Sequence, residues 1–538
     1  MKKNSIWLIS LLFGFLIIGC VNKAPERPFS ELIYIDHQNL RYIEDQETVN
    51  KQLTIIKENL DQAANQGIDT YLFFAKETFE AMLHYDFEID GPGNIGEKAF
   101  NGDQDHYTRA KYLRSALKEA IEYGNQKNIG IFFHSNQFIF PDEVLEVIKP
   151  ATWGTAVCPG REATWQIYSN KMQEFLEAFP GLAGFQITGD ETQVSVLECQ
   201  CDSCAHLSFV DRVNLLTTET AEVCQVLNKK VQMRTWQRMG ELEEEKHPSR
   251  MGEGIPSNVY FSIKNTDGDF RSVHPVDEKF LKAADPKRVI VEFDAWREYD
   301  GNNYFPCYMG EIWSPRFKMI KNLGIQRIAV RLNWNSNKNQ IFETPWGNTI
   351  NLYAFNALAA NPELNGDEVL KSFVQQYYPS SAQQAAVELY QFSPEFLQVI
   401  YYLDDEYLAN HSRVQDDDAA ENLKDAQEKG RLTRPEDFVS RAQEINSACE
   451  KANLLIDKLG PDVNPVWINS LNQGVQILQH IALGTLDKFE AIYWKQQQNQ
   501  QNLDEVMQRL SDRQKQWKAF HPESYESMNG ADLTRDIL

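Results

Sequence analysis

From residue 31 onward, short β-branched or aromatic runs alternate with amphipathic stretches, the order that produces parallel strands joined by crossover helices. Eight such runs can be counted: Leu32–Asp36, Ile68–Phe74, Ile129–His134, Gly184–Thr188, Val231–Trp236, Val259–Lys264, Arg288–Asp294 and Arg327–Asn333. Between them, apolar residues recur at helical spacing over Thr48–Gln66, Tyr107–Lys127, Thr164–Phe179, Phe209–Leu227, Asp277–Ala284 and Pro315–Leu323. Eight strand–helix units are the number at which a parallel sheet closes on itself. The expected fold class is therefore α/β, a (β/α)8 TIM barrel over residues 28–345. Past Asn333 the β signal fades, and helices are expected over Ile350–Ala360, Asp367–Gln376, Ser381–Leu403, Pro435–Lys458, Val466–Gln500 and Leu503–Phe520, an α-helical C-terminal region spanning 346–538. Inside it, Asp404–Arg434, with Asp416-Asp417-Asp418, is the most polar segment and is expected to be a solvated connection. The Gly-, Asp- and Asn-rich stretch between Glu88 and Asp105 follows the second strand, where a barrel places catalytic-face loops, and is expected as a lid.

The N-terminus changes the picture of location. Lys2 and Lys3 precede an apolar run from Ile6 to Ile18 that stops at Gly19-Cys20. The run is too short for a comfortable transmembrane helix, and Ile17-Ile18-Gly19-Cys20 reads as a bacterial lipoprotein signal. Residues 1–19 are thus expected to be removed and Cys20 lipidated, which holds the chain in the cell envelope, on the periplasmic face or the cell surface, with lipid as its contact with the membrane. The formal charge of −24, from 77 acidic against 53 basic side chains, opposes the phosphate neutralisation that nucleic-acid binding requires. Nucleic acid is therefore not an expected partner. Aromatic residues make up 12% of the chain, including 11 Trp, which suits sugar stacking and large cores equally.

Barrel enzymes carry reactive groups at the C-terminal ends of their strands, and three strands deliver carboxylates there. The fourth ends Thr188-Gly189-Asp190-Glu191; the sixth runs Lys264-Asn265 and is followed by Asp269; the seventh supplies Glu292, Asp294 and Glu298. Cleaving a glycosidic bond needs one protonated carboxyl to donate to the leaving oxygen and one ionised carboxylate to activate water or attack directly. Any single acid in so acidic a chain is more often a cap or a salt-bridge partner; three strand ends on one face are harder to dismiss. Arg234 and Lys264 lie within predicted strands and need negative partners, either a uronic acid carboxylate or Glu191, Glu292 or Glu298. Trp236, Trp296 and Trp334 are candidate stacking platforms, each as readily core. In Cys199-Gln200-Cys201-Asp202-Ser203-Cys204-Ala205-His206, three thiolates and an imidazole have zinc-like spacing. An exported chain meets an oxidising compartment, so a disulfide, with Cys158 as one partner, is the favoured expectation over metal. No cofactor is expected.

These residues resemble glycoside hydrolase family 67, the α-glucuronidases. Val291-Glu292-Phe293-Asp294-Ala295-Trp296-Arg297-Glu298-Tyr299-Asp300-Gly301 resembles that family's strand ending in Glu-Tyr-x-Gly, and Lys264-Asn265-Thr266-Asp267-Gly268-Asp269-Phe270 its Lys-Asn-Gly run closing in Asp-Phe. The helix Asn351–Pro362 is similar to the one with which the family leaves its barrel. The resemblance covers roughly residues 180–375. It implies an inverting glycosidase in which Glu191 is the general acid, Asp269 and Glu298 activate water, and Arg234 and Lys264 hold the uronate; from their strand-end positions Asp190, Asn265 and Glu292 are further candidate sugar contacts. The expected partner is then an oligosaccharide with a terminal uronic acid. This chain departs from the family in lacking a separate domain before the barrel, in its Thr-Gly-Asp-Glu sequence and in the cysteine cluster. Gly189-Asp190-Glu191 is also similar to family 20 β-hexosaminidases, where the Asp orients the substrate acetamide. A non-catalytic, anchored sugar-binding barrel is the reading from another class. The helical region is a candidate homodimer surface.

Overall fold

The computed structural model describes residues 27–520, less 38–39, 41–44, 89–92, 137, 149–151, 154–155, 190–194, 198, 200, 235–253, 277, 284, 335–340, 404–405, 410–411 and 413–418. Cys20 lies outside the described residues, as do Asp190, Glu191 and Trp236.

Eight parallel strands close a barrel in sequence order: β1 (Glu31–Asp36), β2 (Thr70–Phe74), β3 (Gly130–Asn136), β4 (Gly184–Thr188), β5 (Lys230–Arg234), β6 (Val259–Lys264), β7 (Val289–Asp294) and β8 (Arg327–Arg331). Closure is made by β8 pairing with β1, from Glu31 opposite Arg327 to Ile35 opposite Arg331. The eight expected strands are all present. The expected helices are present too, among them Gln46–Asn65, Gln104–Gln126, Glu162–Ala178, Phe209–Val226 and Gly310–Asn322 around the barrel, and Thr349–Ala360, Gly366–Tyr377, Gln383–Tyr401, Pro435–Asp457, Pro465–Gln496 and Gln500–Phe520 beyond it.

Within each strand, alternate residues serve two cores, because successive side chains point to opposite faces. One set packs outward under the helices: Leu32 and Tyr34, Tyr71 and Phe73, Ile131 and Phe133, Phe185 and Ile187, Val231 and Met233, Val291 and Phe293, Ile328 and Val330. The other set fills the barrel, where Ile33, Ile35, Leu72, Phe74, Phe132, Ile290 and Ala329 form a separate apolar cluster. Towards the strands' C-terminal ends the inward set turns polar: Gln186 and Thr188, Gln232 and Arg234, Ser262 and Lys264, Glu292 and Asp294, Arg331. An apolar plug below and a charged layer above place the chemistry at one mouth.

One expectation is corrected. The polar segment Asp404–Arg434 is not wholly a solvated connection: Glu406–Tyr407 pairs with Tyr402–Leu403, and Ala419–Glu428 is a helix that buries Ala419, Leu423 and Ala426. The stretch from Glu88 to Asp105 holds the helix Ile95–Phe100, capped by Asn94, and packs by burying Ile95 and Phe100. Spans of six or seven residues, such as Lys76–Ala81 and Asp142–Ile148, form helices that the sequence pattern does not announce, being too short to show a period.

Candidate active site

The mouth at the C-terminal ends of the strands has two unlike walls. Over β1 to β3, the imidazole of His37 stacks on Phe74 at 3.8 Å between centroids, and Phe74 stacks on His134 at 3.4 Å. Trp334, after β8, tilts against His37 at 4.8 Å. Strand register explains the row, since Phe74 lies opposite His134 and Asp36 opposite Phe73, which brings three inward rings side by side.

The second wall, over β5 to β8, is made of ion pairs. Arg234 grips Glu292 with two parallel hydrogen bonds, Nε to Oε2 at 2.9 Å and a terminal nitrogen to Oε1 at 3.0 Å, and Ser262 donates to the same carboxylate. Lys264 pairs with Asp269. Arg331 makes a fork with Asp294 at 3.1 and 2.8 Å and reaches Glu298 Oε2 at 2.7 Å with its remaining terminal nitrogen. Asp294 in turn accepts from the backbone N–H of Glu298 at 3.0 Å, so strand end and loop are locked into one unit. Charged side chains this deeply buried are tolerated because each has a partner with hydrogen-bonding geometry. The walls meet through cation–π contacts: Arg234 lies 5.2 Å over Phe74, and Arg331 4.8 Å over Phe270 and 5.0 Å over Trp334.

Asp269 and Glu298 thus sit on one face. Arg331 holds Glu298 while stacking on Phe270, the neighbour of Asp269, and Tyr299, the neighbour of Glu298, hydrogen-bonds the Asp269 carboxylate. Burial pushes the Asp269 carboxyl up, but the Lys264 ammonium, with Arg271 and the Tyr299 hydrogen bond, more than reverses it and leaves it at about 2. Its partner shows the opposite balance: burial outweighs Asp269 and holds the Lys264 ammonium below its usual value. Asp294 is depressed, with burial again overcome by Arg331. Asp269 and Asp294 are therefore anions at any ordinary pH.

A folded value of about 2 against an unfolded carboxylate near ~3.9 gives Asp269 about 2–3 kcal/mol of stability. The folded value is the lower, so the contribution is complete above the unfolded pKa and is lost as pH falls from ~4 through ~2. Asp269→Asn is accordingly expected to lower the urea midpoint near neutral pH and to match the wild type near pH ~2. An equal deficit at both pH values would contradict the ion pair.

Other expected contacts prove structural. Trp296 is fully buried and its ring N–H donates to Asn302 at 2.6 Å, so it is core and not a stacking platform. Asn265 donates to the Glu292 carbonyl and accepts from Arg316, which occupies both ends of its amide. Glu292 is fully buried behind Arg234 and acts on that guanidinium. Arg234 takes Glu292, one of its expected partners, whereas Lys264 takes Asp269, which is not among them. The expected disulfide is not formed: Cys199, Cys201 and Cys204 are free thiols gathered with Cys158, and His206 is not in the group. Residues that the sequence reading passes over include His37, His134, Arg271 and Arg331.

The loop carrying Glu298 leans on the helical region. Ser412 Oγ donates to the Glu298 carbonyl at 2.7 Å and accepts from the Gly301 N–H at 2.9 Å, and the Tyr402 hydroxyl donates to Asp300 at 3.0 Å. The helix Pro465–Gln496 approaches so closely at Gly474 that a Cβ there would lie 2.0 Å from the Tyr304 carbonyl oxygen.

No protein-family model matches this chain, and no curated protein matches it. Solved structures do share its fold. A glycoside hydrolase family 138 enzyme targeting pectin rhamnogalacturonan II is similar at TM-score 0.56 and 12% identity over 95% of this chain and 81% of that one. CpGH84B matches at TM-score 0.44 and 11% identity over 92% and 74% of the two chains. A mutant of the Thermobaculum terrenum O-GlcNAc hydrolase matches at 0.46 and 11% over 94% and 92%. At 12% identity the first of these likenesses is one of fold: a (β/α)8 barrel followed by helices. The first of these likenesses runs through the helical region as well as the barrel, since it covers nearly the whole chain.

A separate cavity of about 930 Å³ lies between the loops after β1, β2 and β3, lined by Glu80, His106, Arg109 and Glu143 among others. None of Arg234, Lys264, Asp269, Glu298 or Arg331 lines it. The strand-end cluster, with its convergent ionised groups, is the better candidate for chemistry.

Proposed function

We propose that the chain is an exo-acting glycoside hydrolase that removes a terminal uronic acid by single displacement. The observation that carries this reading is the pair Asp269 and Glu298, buried, each held by a cation of the same mouth, facing a row of aromatic rings across the barrel. A pyranose ring presents an apolar C–H face and a polar edge, and the two walls suit those two sides. The fold shared with a family 138 enzyme supports the class of reaction, and the rhamnogalacturonan named for that enzyme contains, as its name says, a uronate.

In this reading Glu191, just beyond β4, protonates the leaving glycosidic oxygen. The water oxygen attacks the anomeric carbon from the opposite face while Glu298 takes its proton. Asp269, held near 2, is too weak a base to remove that proton, because efficient proton transfer needs a pKa closer to the working pH. It serves instead as a fixed negative charge beside the oxocarbenium-like centre and as an acceptor that orients the water. Arg234 and Lys264 supply positive charge for the uronate.

The test is a panel of terminal uronosyl and hexosaminyl oligosaccharides with proton NMR of the first-formed anomer. Release of a uronic acid with inversion is expected, and Glu191→Gln is expected to lower kcat by at least ~10²-fold while sugar binding persists. Retention would replace single displacement by a double displacement or an acetamide-assisted route. Binding without hydrolysis across the panel would make the barrel a non-catalytic sugar binder.

A further inference from the structure

Four cysteines from two loops converge beside the mouth. Cys158 comes from the segment between β3 and the helix Glu162–Ala178; Cys199, Cys201 and Cys204 come from the segment between β4 and the helix Phe209–Val226. Their four sulfurs all lie within 4.8 Å of one another, with Cys158 to Cys201 at 3.3 Å and Cys201 to Cys204 at 3.4 Å. Sulfurs bonded tetrahedrally to zinc at ~2.3 Å stand about 3.8 Å apart, between the 3.3 Å of the closest pair and the 4.8 Å that bounds them all, so small shifts would suffice to enclose the ion. Pairwise disulfides explain such an arrangement less well, since two separate bridges do not require four sulfurs around one point.

The surroundings are built for the cluster. Thr164 Oγ1 donates to the Cys158 carbonyl at 2.9 Å and the Trp165 ring N–H donates to the Pro159 carbonyl at 2.9 Å, which pins the first turn. In the second, the N–H groups of Cys204 and Ala205 both donate to the Cys201 carbonyl, at 3.0 and 2.9 Å, folding the Cys201–Cys204 pair into a tight knuckle. A Cβ on Gly160 would sit 3.3 Å from the Ser203 carbonyl oxygen, so the two turns meet closely and a side chain there would fit only tightly. The buried Arg212 donates to the carbonyls of Leu197 at 3.1 Å and Cys204 at 2.9 Å, and to that of Cys199. Its guanidinium places a positive charge against the loop that carries three of the sulfurs.

We infer that Cys158, Cys199, Cys201 and Cys204 form a structural zinc site that staples the loop after β3 to the loop after β4. Zn²⁺ binding displaces four thiol protons and leaves a centre of net charge −2, which Arg212 offsets. All four positions around the metal are thiolate, so the centre has no open site for water and is structural, not hydrolytic. Beside the cluster, Val157 N–H donates to the Ser195 carbonyl at 3.1 Å, a further tie between the two segments. This inference does not depend on the proposed activity.

The experiment is elemental analysis of the full chain purified without chelators or an affinity tag that binds metal. About one zinc per chain is expected, released in full on titration of the thiols with an organomercurial. Cys201→Ser is expected to lose the metal on dialysis, whereas Cys224→Ala, at a buried thiol outside the cluster, retains it. If the serine variant does not fold, cobalt(II) exchanged into mercurial-treated wild type is expected to give the intense visible bands of a tetrahedral thiolate complex. Zinc-free protein whose denatured mass is lower by two hydrogens per bridge, or a chain that carries iron in place of zinc, would overturn the assignment.

Discussion

Glu298→Gln is expected to lower kcat on the order of 10²–10⁴-fold with little change in KM, because in the proposed mechanism it removes the group that takes the water proton and keeps its shape. The fold should tolerate the change. Arg331 retains its two hydrogen bonds to Asp294, and the glutamine oxygen can still accept from the terminal nitrogen now bonded to Glu298. The backbone N–H of residue 298 keeps its bond to Asp294 as well. Steady-state kinetics on the best uronoside, with thermal melting as the control for folding, separates loss of chemistry from loss of structure. A variant within about threefold of wild-type kcat would remove Glu298 from the reaction and leave it a partner of Arg331 alone.

The largest effect on stability is expected at Glu292→Leu. Glu292 is fully buried and holds Arg234, itself inside the barrel, with two hydrogen bonds. Removing one partner of a buried pair leaves the other charge to bear its desolvation alone, a cost of about 3–5 kcal/mol. Replacing both, as Arg234→Met with Glu292→Leu, restores apolar packing and should recover most of the loss, while abolishing whatever Arg234 contributes to uronate affinity. Urea unfolding of the three variants measures the coupling. A single-variant cost below about 1 kcal/mol would mean that the pair is solvated and that Arg234 is not fixed by Glu292.

The barrel is legible because its strands are buried on both faces and read as short apolar runs, from Leu32 to Asp36 through to Arg327 and beyond. Where length is too small for periodicity, as at Ile95–Phe100, the sequence is silent; where a helix buries only three positions, as at Ala419–Glu428, polarity hides it. The carboxylates of the mouth can be read from strand ends, but their partners are read less well. Arg331 escapes that reading although the signal is present: in β8, Ile328 and Val330 alternate with Ala329 and Arg331, which puts the guanidinium on the inward face beside Glu292 and Asp294 of β7. Trp296 misleads because a strand-end position does not reveal depth, and the turn that follows folds the indole back onto Asn302. The cysteine spacing within 199–206 suggests a metal, yet the fourth sulfur comes from Cys158, a residue separated by a whole strand and helix, and the parallel pairing of β3 with β4 brings it across.

The hydroxyl of Ser412 reaches the peptide of Glu298 across 114 positions of chain. Whatever ligand this mouth accepts, the loop that forms its seventh rim is held from a residue outside the barrel. Drift in the helices could therefore retune the site from behind, and a transplanted barrel would arrive with one of its walls unbraced.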